Sequence, residues 1–282
     1  MSNRREFLST SLALGTVAAV LPLTTLAHND SFNSLPLPSL KGRNILFTYG
    51  GWDGHEPEKF ANYFISWLKD EGAEVQVFTT LDPYSDQILM DRIDLVIQIF
   101  TMSKISKEQE AGLLRAIGRN GTAMAGWHGG MGDSFRDNPD YQFMVGGQWV
   151  AHPGGVIDYD VKIVNHSDDV TKGLKDFKMK SEQYYMHIDP NVKVLATTKF
   201  TGAVKNDENS AWQPDYSFIN GTVMPVAWKK MYGKGRVFYN SLGHNLDHVT
   251  SVSDAMEMMK RGIKWASASK YESTEKLVNP AY

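Results

Sequence analysis

Gly121-Thr122-Ala123-Met124-Ala125-Gly126-Trp127-His128-Gly129-Gly130 is the stretch that decides the fold. Its apolar run 121–127 has the length of a buried strand and ends in a Gly-x-His-x-Gly turn. Such a turn between strand and helix projects its central side chain above a sheet, because only glycine tolerates the crowding beside it. The projecting group is the imidazole of His128, which suits a base, a proton donor or a metal ligand. A histidine simply hydrogen-bonded in a tight turn is the plainer alternative.

Upstream, the periodicity alternates between strand and helix. The run 44–49 ends in Gly50-Gly51, and 57–71 carries a helical stripe of Phe60, Phe64, Trp67 and Leu68 with Pro57 in its first turn. A second strand at 74–79, a short helix at 85–92, a third strand at 94–100 and a helix at 106–117 follow. Four β-then-α units predict an α/β fold, a mainly parallel sheet with helices on both faces. Ligands of such sheets bind at the carboxyl ends of the strands, so the loops 50–56, 100–103 and 127–130 matter most.

Downstream, 156–164 and 192–198 alternate as strands, and 224–228 and 236–240 flank Tyr232-Gly233-Lys234-Gly235, a hairpin signal. The expectation is antiparallel additions in this half, closed by a helix at 253–266. The domain is expected over 43–268, after a linker at 28–42 and before a polar tail at 269–282.

The 282 residues carry 29 Lys+Arg, 32 Asp+Glu, 8 His and no Cys. A formal net charge of −3 without a basic cluster argues against a nucleic-acid partner. Zero cysteines exclude a thiol nucleophile, disulfides and thiolate metal sites. No phosphate-cradling glycine loop follows a strand. Asn3-Arg4-Arg5-Glu6-Phe7-Leu8, the apolar run 12–21 and Thr25-Leu26-Ala27 read as a cleaved twin-arginine export signal over 1–27, which implies a periplasmic protein. The apolar run is shorter than the roughly 20 residues a stable membrane span needs. An uncleaved anchor is the competing reading.

Three further segments carry chemistry. Gly146-Gly147-Gln148-Trp149-Val150-Ala151-His152-Pro153 is glycine-dense, and Pro153 holds His152 extended. Ser181-Glu182-Gln183-Tyr184-Tyr185-Met186-His187 offers a carboxylate and an imidazole that face opposite sides if the segment is extended. Ser241-Leu242-Gly243-His244-Asn245-Leu246-Asp247-His248 follows the hairpin, with His244 better placed than His248. His55, His128, His152, His187, His244 and Glu182 supply enough donors for a divalent ion such as zinc or manganese, but no compact HExxH spacing fixes a set. His152 and His187 are the candidate metal ligands.

Gly-Trp-His-Gly-Gly, Gly-Gly-Gln-Trp-Val-Ala-His-Pro, Ser-Glu-Gln-Tyr-Tyr, Pro-Val-Ala-Trp and Tyr-Gly-Lys-Gly-Arg-Val-Phe-Tyr-Asn-Ser-Leu-Gly-His together resemble the trehalose-utilisation (ThuA-like) family, from about Arg43 to Ala266. The resemblance implies a flavodoxin-like sheet of the class I glutamine amidotransferase-like type. Those amidotransferases carry Cys at the elbow where this chain has His128, so glutaminase chemistry is excluded. It further implies a role in disaccharide utilisation, with a sugar or 3-keto-glycoside as the small-molecule partner. A ketone at C3 acidifies the C2 proton, so base-catalysed lyase, hydrolase or isomerase chemistry follows. His128 is then the expected base, with Glu182 and His244 as further catalytic residues. Trp52, Trp127, Trp149 and Tyr185 offer faces for a sugar ring, with His55 beside them, although each aromatic suits a core equally well. A homo-oligomer is left open. Two readings compete: a carbohydrate-binding or accessory protein without turnover, and a glycosidase drawing two carboxylates from Asp53, Glu56, Asp133 and Glu182.

Overall fold

The computed structural model describes residues 37–202 and 216–272. The expected export signal at 1–27, most of the linker and all but four residues of the tail lie outside the described residues.

The alternating first half forms β1 (Asn44–Gly51), α1 (Pro57–Asp70), β2 (Glu74–Phe78), α2 (Gln87–Arg92), β3 (Leu95–Thr101), α3 (Lys107–Gly118) and β4 (Ala123–Trp127). Each boundary lies within about two residues of its expected place. Local chemistry sets the ends. Pro57 opens α1, the Asp86 carboxylate accepts from Leu89 N, and Ser106 with Gln109 closes a reciprocal capping box on α3. β3 is buried along its whole length because it is covered on both faces. Leu95, Ile97 and Ile99 pack with α1 and the C-terminal helix, while Val96 and Phe100 join the core under α2 and α3.

The second half continues with α4 (His128–Gly132), α5 (Pro139–Val145), β5 (Gly147–Ala151), β6 (Val156–Ile163), β7 (Phe177–Glu182), β8 (Tyr185–Ile188), β9 (Lys193–Lys199), β10 (Val223–Tyr232), β11 (Gly235–Asn240), α6 (Leu246–Thr250) and α7 (Ser253–Ser267). The nine-stranded sheet has the order β2-β1-β3-β4-β11-β10-β9-β6-β7. Its first five strands are parallel in the 2-1-3-4-5 order of flavodoxin-like folds, and the remaining four pair antiparallel, as expected. The expected hairpin is present at β10–β11.

The glycine-dense loop around Trp149 differs from expectation. Its residues 147–151 form β5, which pairs with β8 in a separate two-stranded ribbon. The segment 181–187 is therefore not one extended strand: it breaks at Gln183-Tyr184 between β7 and β8. Two lysines lie buried in mid-β10. Lys229 Nζ donates to Asp168 Oδ1 at 2.5 Å, and Lys230 Nζ bonds Asp189 and the Phe143 carbonyl. The described start of the tail is pinned to the domain: Arg236 bonds Glu272, and the Tyr271 hydroxyl donates to Asp94. Among the described residues no helix is long and apolar enough to cross a membrane.

Candidate functional site

The turn after β4 has the geometry its sequence implies. His128 has φ +48°, a left-handed conformation that is strained for a side-chain-bearing residue. A Cβ at Gly126 would lie 2.7 Å from the Gln98 carbonyl oxygen, and one at Gly130 would lie 2.5 Å from Ile99 Cγ2. Beneath the turn, Gln98 Nε2 donates to Gly130 O, Ser134 Oγ and Tyr141 OH, and Gln98 Oε1 accepts from the Tyr84 hydroxyl. This buried network satisfies carbonyls of the five-residue, glycine-rich α4 and so holds His128 in place.

Four segments bring their polar groups to one point. His55 comes from the turn after β1, His128 from the elbow, Glu182 from the end of β7, and His244 from the segment after β11. One ligand atom from each lies within 4.8 Å of all the others. Glu182 is the hub. Its Oε2 is 3.1 Å from His128 Nε2 and 3.7 Å from His55 Nε2, and its Oε1 is 3.2 Å from His244 Nδ1.

The outer atoms of these rings decide the proton positions. His128 Nδ1 lies 2.8 Å from the Ser241 carbonyl oxygen, which can only accept, so Nδ1 carries the hydrogen. In the neutral ring Nε2 is then bare and faces a carboxylate oxygen. Burial pushes the His128 pKa down to about 3, against the opposing pull of Glu182, so the neutral form holds at pH 7. The His55 Nδ1 pairs with Thr101 Oγ1 at 3.0 Å. His244 Nδ1 is buried and, despite its nearness to Glu182, outside hydrogen-bond geometry. Lone pairs facing one another inside a protein are costly unless a cation lies between them. Donors sharing a zinc ion at about 2.0–2.1 Å sit roughly 3 Å apart. The set of three imidazoles and one carboxylate fits a divalent ion.

The other expected site residues are placed as follows. His152 lies at the open side, its Nε2 3.7 Å from Glu182 Oε1. His187 is exposed on β8, opposite Gln148, and is not among the clustered groups. Trp52 is 45% exposed and meets the His55 ring edge-on at 4.8 Å. Trp149 packs beside His152, with the Arg136 guanidinium 4.5 Å above its ring. Trp127 is buried against Phe60 and Phe64, and Tyr185 packs on Phe200, so both rings serve the core. Asp53 and Glu56 are not among the groups clustered with Glu182. Glu56 instead accepts from Leu246 N, tying the His55 loop to the His244 loop.

The sequence reading missed Thr101, the Ser241 carbonyl and Tyr184, whose ring stacks on His128 at 4.0 Å. All three lie in stretches singled out above, but each acts through a contact distant in sequence that no local pattern signals.

The fold is shared with solved proteins. A ThuA-like protein of Bacteroides uniformis matches with TM-score 0.61 at 16% identity, over 83% of this chain and 94% of its own. One from Parabacteroides merdae matches with TM-score 0.59 at 16% identity, over 85% and 95%. A Salmonella typhimurium protein described as cytoplasmic matches with TM-score 0.53 at 10% identity, over 80% and 98%. At such identities the likeness is one of fold. No curated protein matches the sequence significantly. A profile of the ThuA family, described as trehalose utilisation, matches residues 44–266. That span takes in every strand and helix that builds the cluster, and the chain belongs to the ThuA family.

Proposed function

We propose that the protein is an enzyme of disaccharide utilisation that acts on a sugar or 3-keto-glycoside with the help of a divalent cation. The observation that carries this reading is Glu182 ringed by His55, His128 and His244 at the carboxyl end of the sheet. Family membership supports the substrate class. The twin-arginine pattern at 4–5 supports export to the periplasm.

In this reading His55, His128, His244 and Glu182 hold the ion. His128 is therefore a ligand rather than the base: it is 1% exposed, its Nδ1 is taken up by the Ser241 carbonyl, and its Nε2 faces Glu182. Thr101 and the Ser241 carbonyl orient His55 and His128 from outside, as partners of metal-ligating imidazoles do. A divalent ion held there would supply Lewis acidity to a substrate carbonyl. Trp52, open to solvent beside His55, offers a ring face to the sugar.

The test is proton NMR of the purified protein with trehalose and, separately, 3-keto-trehalose, each with and without a chelator. Conversion of the keto-sugar that stops on chelation supports the reading. Line broadening without conversion overturns it in favour of a binding protein.

A further inference from the structure

We propose that His152 is the catalytic residue that exchanges a proton with the substrate, a role separate from the four residues that hold the cation. This rests on the reading of the site as a cation-assisted sugar enzyme. Of the imidazoles around Glu182, His152 is the open one: its side chain is 39% exposed, whereas His55 and His128 are buried and His244 nearly so. Its Nε2 is 3.7 Å from Glu182 Oε1, beyond a hydrogen bond, yet near enough for one small molecule to touch both.

The ring is also held in place. Pro153 restricts the backbone, Gly155 N donates to the His152 carbonyl, Trp149 lies at 5.6 Å and the Tyr184 ring runs nearly parallel at 6.3 Å. The other titratable groups nearby are engaged or enclosed. Tyr184 is buried against His128, the Tyr239 hydroxyl donates to the His128 carbonyl, and Asp133 accepts two bonds from Arg136. His248 stacks on His244 at 6.2 Å.

On a 3-keto-glycoside the step is a proton abstraction. The C2–H bond breaks and its proton goes to Nε2 of His152. The electron pair forms the C2–C3 double bond, and the C3 oxygen takes the negative charge. Return of a proton from His152 to the same face of C2 gives back the substrate, with deuterium at C2 once the ring has exchanged with D2O. Alternatively the C3=O bond re-forms, the C2–C3 pair moves to make a C1–C2 double bond, and the C1–O bond breaks, its oxygen taking the proton held on His152 Nε2, which gives the elimination product and restores the neutral imidazole.

The experiment follows loss of the C2 proton signal of 3-keto-trehalose in D2O, using full-length protein loaded with zinc or manganese. His152→Ala and His152→Gln are compared with wild type, and bound metal is measured on each sample. The expected result is a fall in exchange of about 100-fold or more with bound metal unchanged, and partial recovery of His152→Ala in added imidazole. Exchange within a few-fold of wild type overturns the assignment. Loss of metal from the variants overturns it too, because His152 is then a ligand. Wild type that binds metal but exchanges nothing overturns the sugar reading and this step with it.

Discussion

His128 Nε2 lies 3.1 Å from Glu182 Oε2 while Nδ1 of the same ring donates to the Ser241 carbonyl. The two facing atoms both carry lone pairs, and His128 holds the left-handed φ of +48° that aims it there. Asparagine tolerates that backbone better than other side chains, so His128→Asn should fold within about 1 kcal/mol of wild type yet bind zinc far more weakly. The β-branched His128→Val should cost a further ~1–2 kcal/mol in stability. Urea denaturation and zinc titration of both variants separate the two effects.

Thr101→Val removes the hydrogen-bond partner of His55 Nδ1 with little change of shape. Partners of this kind contribute about 10–100-fold to metal affinity. The variant should show a drop in zinc affinity of that size in competition with a chromogenic chelator, with its circular dichroism spectrum retained.

Gly130→Ala places a Cβ 2.7 Å from Ile99 Cα, where the neighbour is backbone and cannot step aside. A loss of about 1–3 kcal/mol in urea denaturation is expected. An unchanged midpoint would show that α4 shifts freely and that the elbow is not held as described.

The parallel half of the fold was legible because its apolar period switches between strand and helix at glycine or proline turns, as at Gly50-Gly51 and Pro57. The β5–β8 ribbon was not. Its strands are four and five residues long, and Gly146-Gly147 and Pro153 make the first of them look like a loop. At the site, the Gly126–Gly130 turn announced the elbow. Which histidines converge was hidden, because the residues come from four separate segments with no shared period. His187 fell outside the cluster because the chain turns at Gln183-Tyr184, which the alternation around it does not signal.

Asp168 is buried between Lys229 and Lys193. Asp168→Asn leaves two cations without their carboxylate and should cost about 3–5 kcal/mol. Although burial opposes it, the pairing with Lys229 holds the Asp168 pKa below its ordinary 3.8. The folded chain thus keeps this carboxylate ionised where the unfolded chain protonates it. The contribution is fully present above about 3.8 and is lost as pH falls through the lower folded value. Thermal melts between pH 7 and pH 3 should fall less steeply in Asp168→Asn than in wild type.

The most direct test of the proposed cation centre is isothermal titration of metal-stripped protein with zinc, beside Glu182→Gln. One ion per chain for wild type, and affinity at least 100-fold weaker once the hub carboxylate is gone, is the result the geometry predicts. No binding to wild type, or equal binding to both proteins, would contradict it.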